Sequence, residues 1–575
     1  MRIALLTEGA KRRPKGDPLA WCDRLVRGLT DQEFEVYALC RDPQDTAERW
    51  AGRYPGVRAV YTRPLWGPAP GEHTPLRGRP LRRRFLGCYR ELVATLTARP
   101  DTPETPAAPG SADLADRFAN SLYGLAELAR EHGGLPGALR SEPAVQALEA
   151  ACRAPGAAPL LGGATVHDLL TASESLERAL RPLSAPWYGE TTLGGVDLCH
   201  ATSGGPATLP GLLAAHFCGT PLLVTEYGVR LREHYLDGPD GQLPVRVRVL
   251  LAALHRRLAT ESYRAAALLT PGNGHIRRWQ ERCGAPRTKI RTVHPGIDAG
   301  QLAAVGEAAE SGAPDADDPT LVWVGRVEPA KDLVALLHAF ARIHTAVPRA
   351  RLRIISGGGR ADYLAQCRVL AAQLFPDEAA DSRTPGESPV TFEEIGSPYV
   401  PTLADAYAAG GLVVLSSVVE GFPATLVEAM FCARATVSTD VGAVREVIGG
   451  TGLVVPPRNP TALAEACTEL LHDPHRRARL GAAARARALE LFTAEQNVAA
   501  FREIYLDLVA HRRPAATRTA SAPFALPAEA HLPGSWRPAP GAHHGASRAP
   551  AWAREAPRQP AVVGAPAGLP LGENA

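Results

Sequence analysis

Lysine is nearly missing from this chain: only Lys11, Lys15, Lys289 and Lys331 stand among 63 basic residues, and the rest are arginine. With 54 Gly and 52 Pro, that scarcity reads as a GC-rich coding bias, so a lysine kept in such a chain is more informative than usual. A strong excess of either charge is missing too. The 63 basic and 60 acidic residues leave a net charge of +3, which gives no argument for a nucleic-acid partner. The ten cysteines stand singly between Cys22 and Cys467, with no CxxC pair and no Cys/His cluster at metal spacing. That argues against a zinc site and reads as buried thiols in a reducing compartment. No apolar run approaches the roughly 18 residues that a membrane-spanning helix needs. The N-terminal run Ile3-Ala4-Leu5-Leu6 is too short for a signal peptide. A cytoplasmic protein is expected, with peripheral contact to a membrane or a polysaccharide-synthesis complex left open.

What is present is enough apolar residue, 45% of 575, for two or more domains. Residues 2–6 and 34–39 read as strands around a helical pattern at 19–29, the opening of a βαβ unit. From about 63 to 190 the pattern turns into helical stretches broken by Pro and Gly, a helix-rich insertion with loops near 98–110 and 132–142. Alternation then resumes, with strands expected at 196–199, 222–225, 267–270 and 290–293. The small, acidic segment 307–319 suits a linker. Beyond it, strands at 320–324, 351–355, 411–415, 435–439 and 452–455 alternate with helices. Such spacing implies parallel sheets covered on both faces. The expected organisation is therefore α/β: a first Rossmann-like lobe over 1–306, a second over 307–492, a closing helix at 493–512, and a tail at 513–575. The tail's Ala, Pro, Gly, Arg and His composition, without apolar periodicity, reads as disordered and dispensable for folding.

Chemistry concentrates in the second lobe. Val322-Trp323-Val324-Gly325-Arg326 runs off a strand, and Lys331 follows at the start of a helix. Further on, Glu420-Gly421-Phe422-Pro423-Ala424 leaves another strand and leads to Glu428. Pro423 suits the first turn of a helix, where its missing N–H costs nothing. The N–H groups of that turn, with the helix dipole, make an anion site fit for a diphosphate. Glu428 can accept two hydrogen bonds from vicinal hydroxyls, such as those of a ribose. Gly421 lets the backbone approach a sugar. Arg326 and Lys331 supply the two positive charges that a departing nucleoside diphosphate requires. The glycines 357–359, between a strand and a helix, could likewise approach a donor or form a tight turn.

These two segments resemble the Gly-Arg…Lys and Glu-x7-Glu motifs of the family 4 retaining glycosyltransferases, which have the GT-B fold. The resemblance implies that Arg326 and Lys331 hold the donor diphosphate, that Glu420, Gly421 and Phe422 face the donor sugar, and that Glu428 binds the ribose. In the first lobe, Thr7-Glu8-Gly9, Trp21-Cys22-Asp23, His200-Ala201-Thr202-Ser203 and Thr225-Glu226-Tyr227-Gly228-Val229 look like the subgroup containing PelF, an exopolysaccharide glycosyltransferase. That similarity covers about residues 1–512. It implies UDP-sugar donors such as UDP-glucose, a saccharide acceptor, and no metal or other cofactor. Two departures stand out: Gly16-Asp17-Pro18-Leu19 replaces a Gly-Gly-Val-Ser run, and Tyr227 replaces a His. Gly16, Asp17, His200, Glu226 and Tyr227 are the candidate cleft or acceptor residues. The expected activity is transfer of a hexose from a UDP-type donor to a saccharide with retained configuration. The rival is a degenerate transferase, slowed by Asp17 and Tyr227, that senses nucleotide-sugar or supports a synthesis complex. An epimerase of nucleotide-sugars fits the subgroup match less well.

Overall fold

A computed structural model describes residues 1–9, 18–50, 52–67, 76, 78–99, 111–236, 243–311, 318–376 and 388–511. The tail expected at 513–575, most of the loop at 98–110, and the candidates Gly16 and Asp17 lie outside the described residues.

Two six-stranded sheets form the frame. The first holds β1 (Arg2–Glu8), β2 (Glu33–Cys40), β3 (Val57–Pro64), β4 (Leu198–Ala201), β5 (Leu222–Glu226) and β6 (Leu268–Pro271), in the order β3-β2-β1-β4-β5-β6. The second holds β7 (Thr320–Val327), β8 (Arg351–Gly359), β9 (Val390–Glu394), β10 (Leu412–Leu415), β11 (Ala435–Thr439) and β12 (Leu453–Val455), in the order β12-β11-β10-β7-β8-β9. Neighbouring strands pair in parallel, for example Ile3 with Phe34 and Val413 with Val322. Counted from its own first strand, each sheet has the order 3-2-1-4-5-6 of a doubly wound fold. Two such lobes are the GT-B arrangement expected from the sequence. The strand order reverses between β1 and β4 and between β7 and β10, and ligands of such sheets bind beyond the carboxyl ends at those points. Strands covered on both faces read as continuous apolar runs; all four residues of β10 are buried.

The insertion is helical as expected, with helices at Arg79–Thr97, Ser111–His132, Glu142–Cys152 and Val166–Leu180. Four expectations need correction. The supposed loop at 132–142 contains a short helix, Leu135–Leu139, opened by Pro136 and buried through Leu135, Ala138 and Leu139. Residues 290–293 make only a bridge from Ile290 to Leu269, not a strand of their own. The linker expected from 307 begins inside a helix, Gly300–Ser311, whose Leu302 joins the second-lobe core. The second lobe thus starts before the expected boundary at 306/307. Finally, β3 and β9, an edge strand of each sheet, are strands that the sequence reading left out.

The closing helix, Ala494–Ala510, starts at a capping box in which Thr493 and Gln496 satisfy each other's backbone N–H. It leaves the second lobe and packs on the first: Phe501, Ile504 and Tyr505 share a buried cluster with Trp21, Leu25, Val36 and Leu198. The chain crosses between lobes twice, and the crossings touch, since Ile297 bridges to Thr493 in parallel. Gly296 permits that approach, because a Cβ there would sit 2.7 Å from Ala494 Cα.

Candidate functional site

The two motifs of the second lobe lie on either side of its switch point, one after β7 and one after β10. Gly325 ends the unbroken buried run of β7, and Arg326 follows half-buried, its Nε donating to Glu328 Oε1 at 2.9 Å. A single 3-10 turn, Pro329–Lys331, leads to Asp332, which takes a left-handed conformation at φ 47° and accepts from Ala335 N to cap the helix Leu333–Ala346. That turn fixes Lys331 at the helix entrance. Lys331 Nζ forms an ion pair with Glu420 Oε1, and Ser417 Oγ donates to the same oxygen at 2.7 Å.

The β10 loop is tied down along its length. Val418 N donates to Ala330 O at 2.9 Å, Ser416 Oγ to Lys331 O at 2.7 Å, and Ala443 N to Gly421 O at 3.1 Å. Gly442, at φ 60°, lies so close that a Cβ would be 2.5 Å from Glu420 O, so no other residue fits beneath the loop. Pro423 caps the helix Ala424–Phe431 from outside rather than occupying its first turn, a shift of one position from expectation. The N–H of Leu426 turns back to Pro423 O at 3.0 Å. Phe422 packs edge-on to Phe492 at 5.8 Å and is tilted against His294. Glu428, one turn into the helix, accepts from Tyr407 Oη at 2.6 Å.

The structure therefore joins Lys331 with Glu420 directly, occupies Arg326 with Glu328, and holds Glu428 through Tyr407. A cation and a carboxylate in contact, beside a helix entrance, can bind a diphosphate and a polyhydroxyl group side by side. Ser417, three residues before Glu420, and Tyr407 were missed by sequence reasoning; no local pattern signals the Tyr407 contact, which spans 21 residues. The glycines at 357–359 belong mainly to the end of β8. Gly359, at φ 149°, faces Val327 O, where a Cβ would be 2.4 Å away, so it serves the β7–β8 contact.

The first-lobe candidates are placed differently from expectation. His200 is fully buried in β4, with Nδ1 2.7 Å from Tyr505 Oη and Nε2 2.7 Å from Thr225 Oγ1. Burial pushes its imidazole down to about 3, so it is neutral. It joins the sheet to the closing helix and does not line a cleft. Glu226 ends β5 but turns inward, accepting from Tyr263 Oη at 2.6 Å and Gln280 Nε2 at 2.8 Å. Burial pushes its carboxyl up to about 7, against the lowering effect of those two bonds. Tyr227 packs edge-on to Trp21 at 5.3 Å and accepts from Asn497 Nδ2 at 3.2 Å. Asn497 Oδ1 in turn takes the Trp21 Nε1 hydrogen at 2.9 Å. The main chain of Tyr227, not its ring, faces Gly421. All three corrections share one cause: the closing helix and the helices behind β5 cover these side chains.

The lobes meet through the segments that follow the carboxyl ends of their strands, including the helices that begin there. Arg232 Nη2 donates to Glu420 O at 2.8 Å, and Gly274 N donates to Glu446 Oε2 at 2.6 Å. Among the described residues, no group of three His, Cys, Asp or Glu could hold a metal ion, and no helix is long and apolar enough to cross a membrane.

Comparison with known proteins agrees with this division. Residues 318–473 match the family model described as Glycosyl transferases group 1, and residues 1–288 match a domain of unknown function, DUF3492. The D-inositol 3-phosphate glycosyltransferase of Kineococcus radiotolerans is 32% identical over 252 residues, 40% of this chain and 55% of that protein. The alpha-maltose-1-phosphate synthase of Mycolicibacterium smegmatis is 30% identical over 320 residues, 52% of this chain and 76% of that protein. The chain spans about half the length of the inositol-phosphate relatives it matches. HepE of Anabaena, solved in complex with UDP, superposes with a TM-score of 0.50 at 15% identity, covering 88% of this chain and 100% of that one.

Proposed function

The chain belongs to the glycosyltransferases, its first half to the DUF3492 family, and from that premise we propose that it is a retaining hexosyltransferase using a UDP-type donor. The observation that carries this reading is the Lys331–Glu420 pair, set by two strand ends at the switch point of the second sheet. Arg326 and Lys331 receive the diphosphate, Glu428 the ribose, and Glu420 with Gly421 and Phe422 the sugar. Gly325, Pro423 and Ala424 bring the backbone close. In the transfer step the anomeric carbon–phosphate oxygen bond breaks as the acceptor oxygen bonds to that carbon on the same face. The leaving diphosphate takes the acceptor proton. Positioning and charge stabilisation by the two cations supply the catalysis, so no protein nucleophile is needed.

The acceptor is a saccharide approached from the first lobe. A PelF-like place in polysaccharide or glycoconjugate synthesis rests on the first-lobe segments at 7–9, 21–23, 200–203 and 225–229. The hydrogen bond and ring contact of Tyr227 account for that residue by packing, which leaves the degenerate reading resting on Asp17 alone. The HepE complex supports UDP as the probe. Calorimetry with UDP tests the site: Lys331→Ala and Glu428→Ala should each lose about 1.5–3 kcal/mol of charge-assisted bonding, roughly ten- to a hundredfold in affinity. Unchanged affinity in both variants overturns the assignment.

A further inference from the structure

The carboxylate of Glu420 is held by its own lobe, through Lys331 and Ser417, but its carbonyl is held by the other. Arg232 sits on the helix Arg230–Leu236, which follows β5 in the first lobe, and spans the gap to Glu420 O at 2.8 Å. Its guanidinium is half-buried, and burial lowers its pKa although Glu233 and Glu420 pull the other way. An arginine loses solvation here, and the bond to the carbonyl is what offsets that loss. The helix is itself braced, since His234 Nε2 lies 2.8 Å from Arg248 O on the long helix Val245–Ala265. Against the same carbonyl, Gly442 leaves no room for a side chain of its own, since a Cβ there would be 2.5 Å from Glu420 O.

We propose that Arg232 is a positioning residue for the donor site: it clamps the main chain of Glu420 from the first lobe and so steadies the loop on which Lys331 and Ser417 hold the carboxylate. This rests on the reading that the Glu420 loop faces the donor sugar. Among the described residues, Arg232 makes no hydrogen bond or ion pair with Arg326, Lys331 or Glu428, the residues assigned to the diphosphate and ribose; its bond goes to the Glu420 carbonyl. Its effect therefore falls on the sugar-transfer step and on the order of the loop, not on nucleotide affinity.

The test compares the full chain with Arg232→Ala and Arg232→Lys. Amide hydrogen exchange of the peptide covering 417–424 should speed up at least tenfold in the alanine variant and remain near the parent rate in the lysine variant, which keeps one donor. The affinity for UDP, by calorimetry, should change less than twofold in both. With UDP-glucose as donor, kcat for UDP release should fall at least tenfold in the alanine variant with KM little changed, and the lysine variant should recover most of it. Exchange at 417–424 equal to the parent's in the alanine variant overturns the proposal. So does a loss of UDP affinity that matches the loss of rate. A parent that binds no UDP removes the nucleotide-sugar reading instead, while the exchange result still decides whether Arg232 holds the loop.

Discussion

Replacing Glu226 by Gln should make the protein more stable above neutral pH. The carboxyl closes β5, is 1% exposed, and is pushed by burial from 4.5 up to about 7. A folded-state pKa above the unfolded one means that the fold binds this proton more tightly than the open chain does. The resulting stability is full below about 4.5 and is lost as pH rises through about 7. The gap between those values is worth about 3 kcal/mol. Glutamine has the same shape, stays neutral, and keeps an acceptor for Tyr263, so its variant escapes the loss. At about 2.1 cal/mol/K per residue over a lobe of about 290 residues, 3 kcal/mol is about 5 °C. Melting curves of the two proteins, followed by tryptophan fluorescence from pH 4.5 to 8, should run together at the acid end and separate by about 5 °C at pH 8. A constant difference across that range, or a less stable glutamine variant at pH 8, refutes the reasoning.

Two further outcomes follow from the same packing. Tyr407→Phe removes the hydrogen bond that orients Glu428, at about 1 kcal/mol, so UDP affinity should fall about fivefold with the melting temperature nearly unchanged; calorimetry that shows no loss removes Tyr407 from the site. The family resemblance predicts faster turnover from Asp17→Gly with Tyr227→His, but the Trp21 contact and the Asn497 hydrogen bond imply that Tyr227→His alone destabilises by about 1–3 kcal/mol. An unaltered melting temperature would show that Tyr227 is not needed for packing.

The sheets were readable because parallel strands buried on both faces leave uninterrupted apolar runs, as Leu412-Val413-Val414-Leu415 does. β9 escaped because it is an edge: its Val-Thr-Phe-Glu-Glu carries charge, and Glu393 is paired with Arg353 on β8. The helix Gly300–Ser311 was read partly as linker because its small and acidic residues hide Leu302 among them. Lys331 and Glu420 were singled out because each follows a strand and carries a charge that chemistry can use, and the fold pairs them. His200 and Glu226 follow the same local rule and were therefore placed in the cleft. What buries His200 is a helix almost 300 residues later, and what buries Glu226 is a tyrosine and a glutamine on two separate helices. Neither cover is visible in the segment itself. Arg232 was overlooked for the matching reason, since its partner is a carbonyl in the other lobe.

The closing helix also sets the timetable of biosynthesis. The first sheet is finished once Pro271 has been made, yet the face formed by Trp21, Leu25, Val36 and Leu198 waits for Phe501, Ile504 and Tyr505. At roughly 5–20 residues per second the ribosome needs about 12–47 s to supply them. During that interval a broad oily surface is open on the nascent chain, with the second lobe emerging beside it. A chain that stops before Phe501 lacks that cover permanently, so the outermost residues of the second lobe's sequence are a condition for completing the first lobe's core.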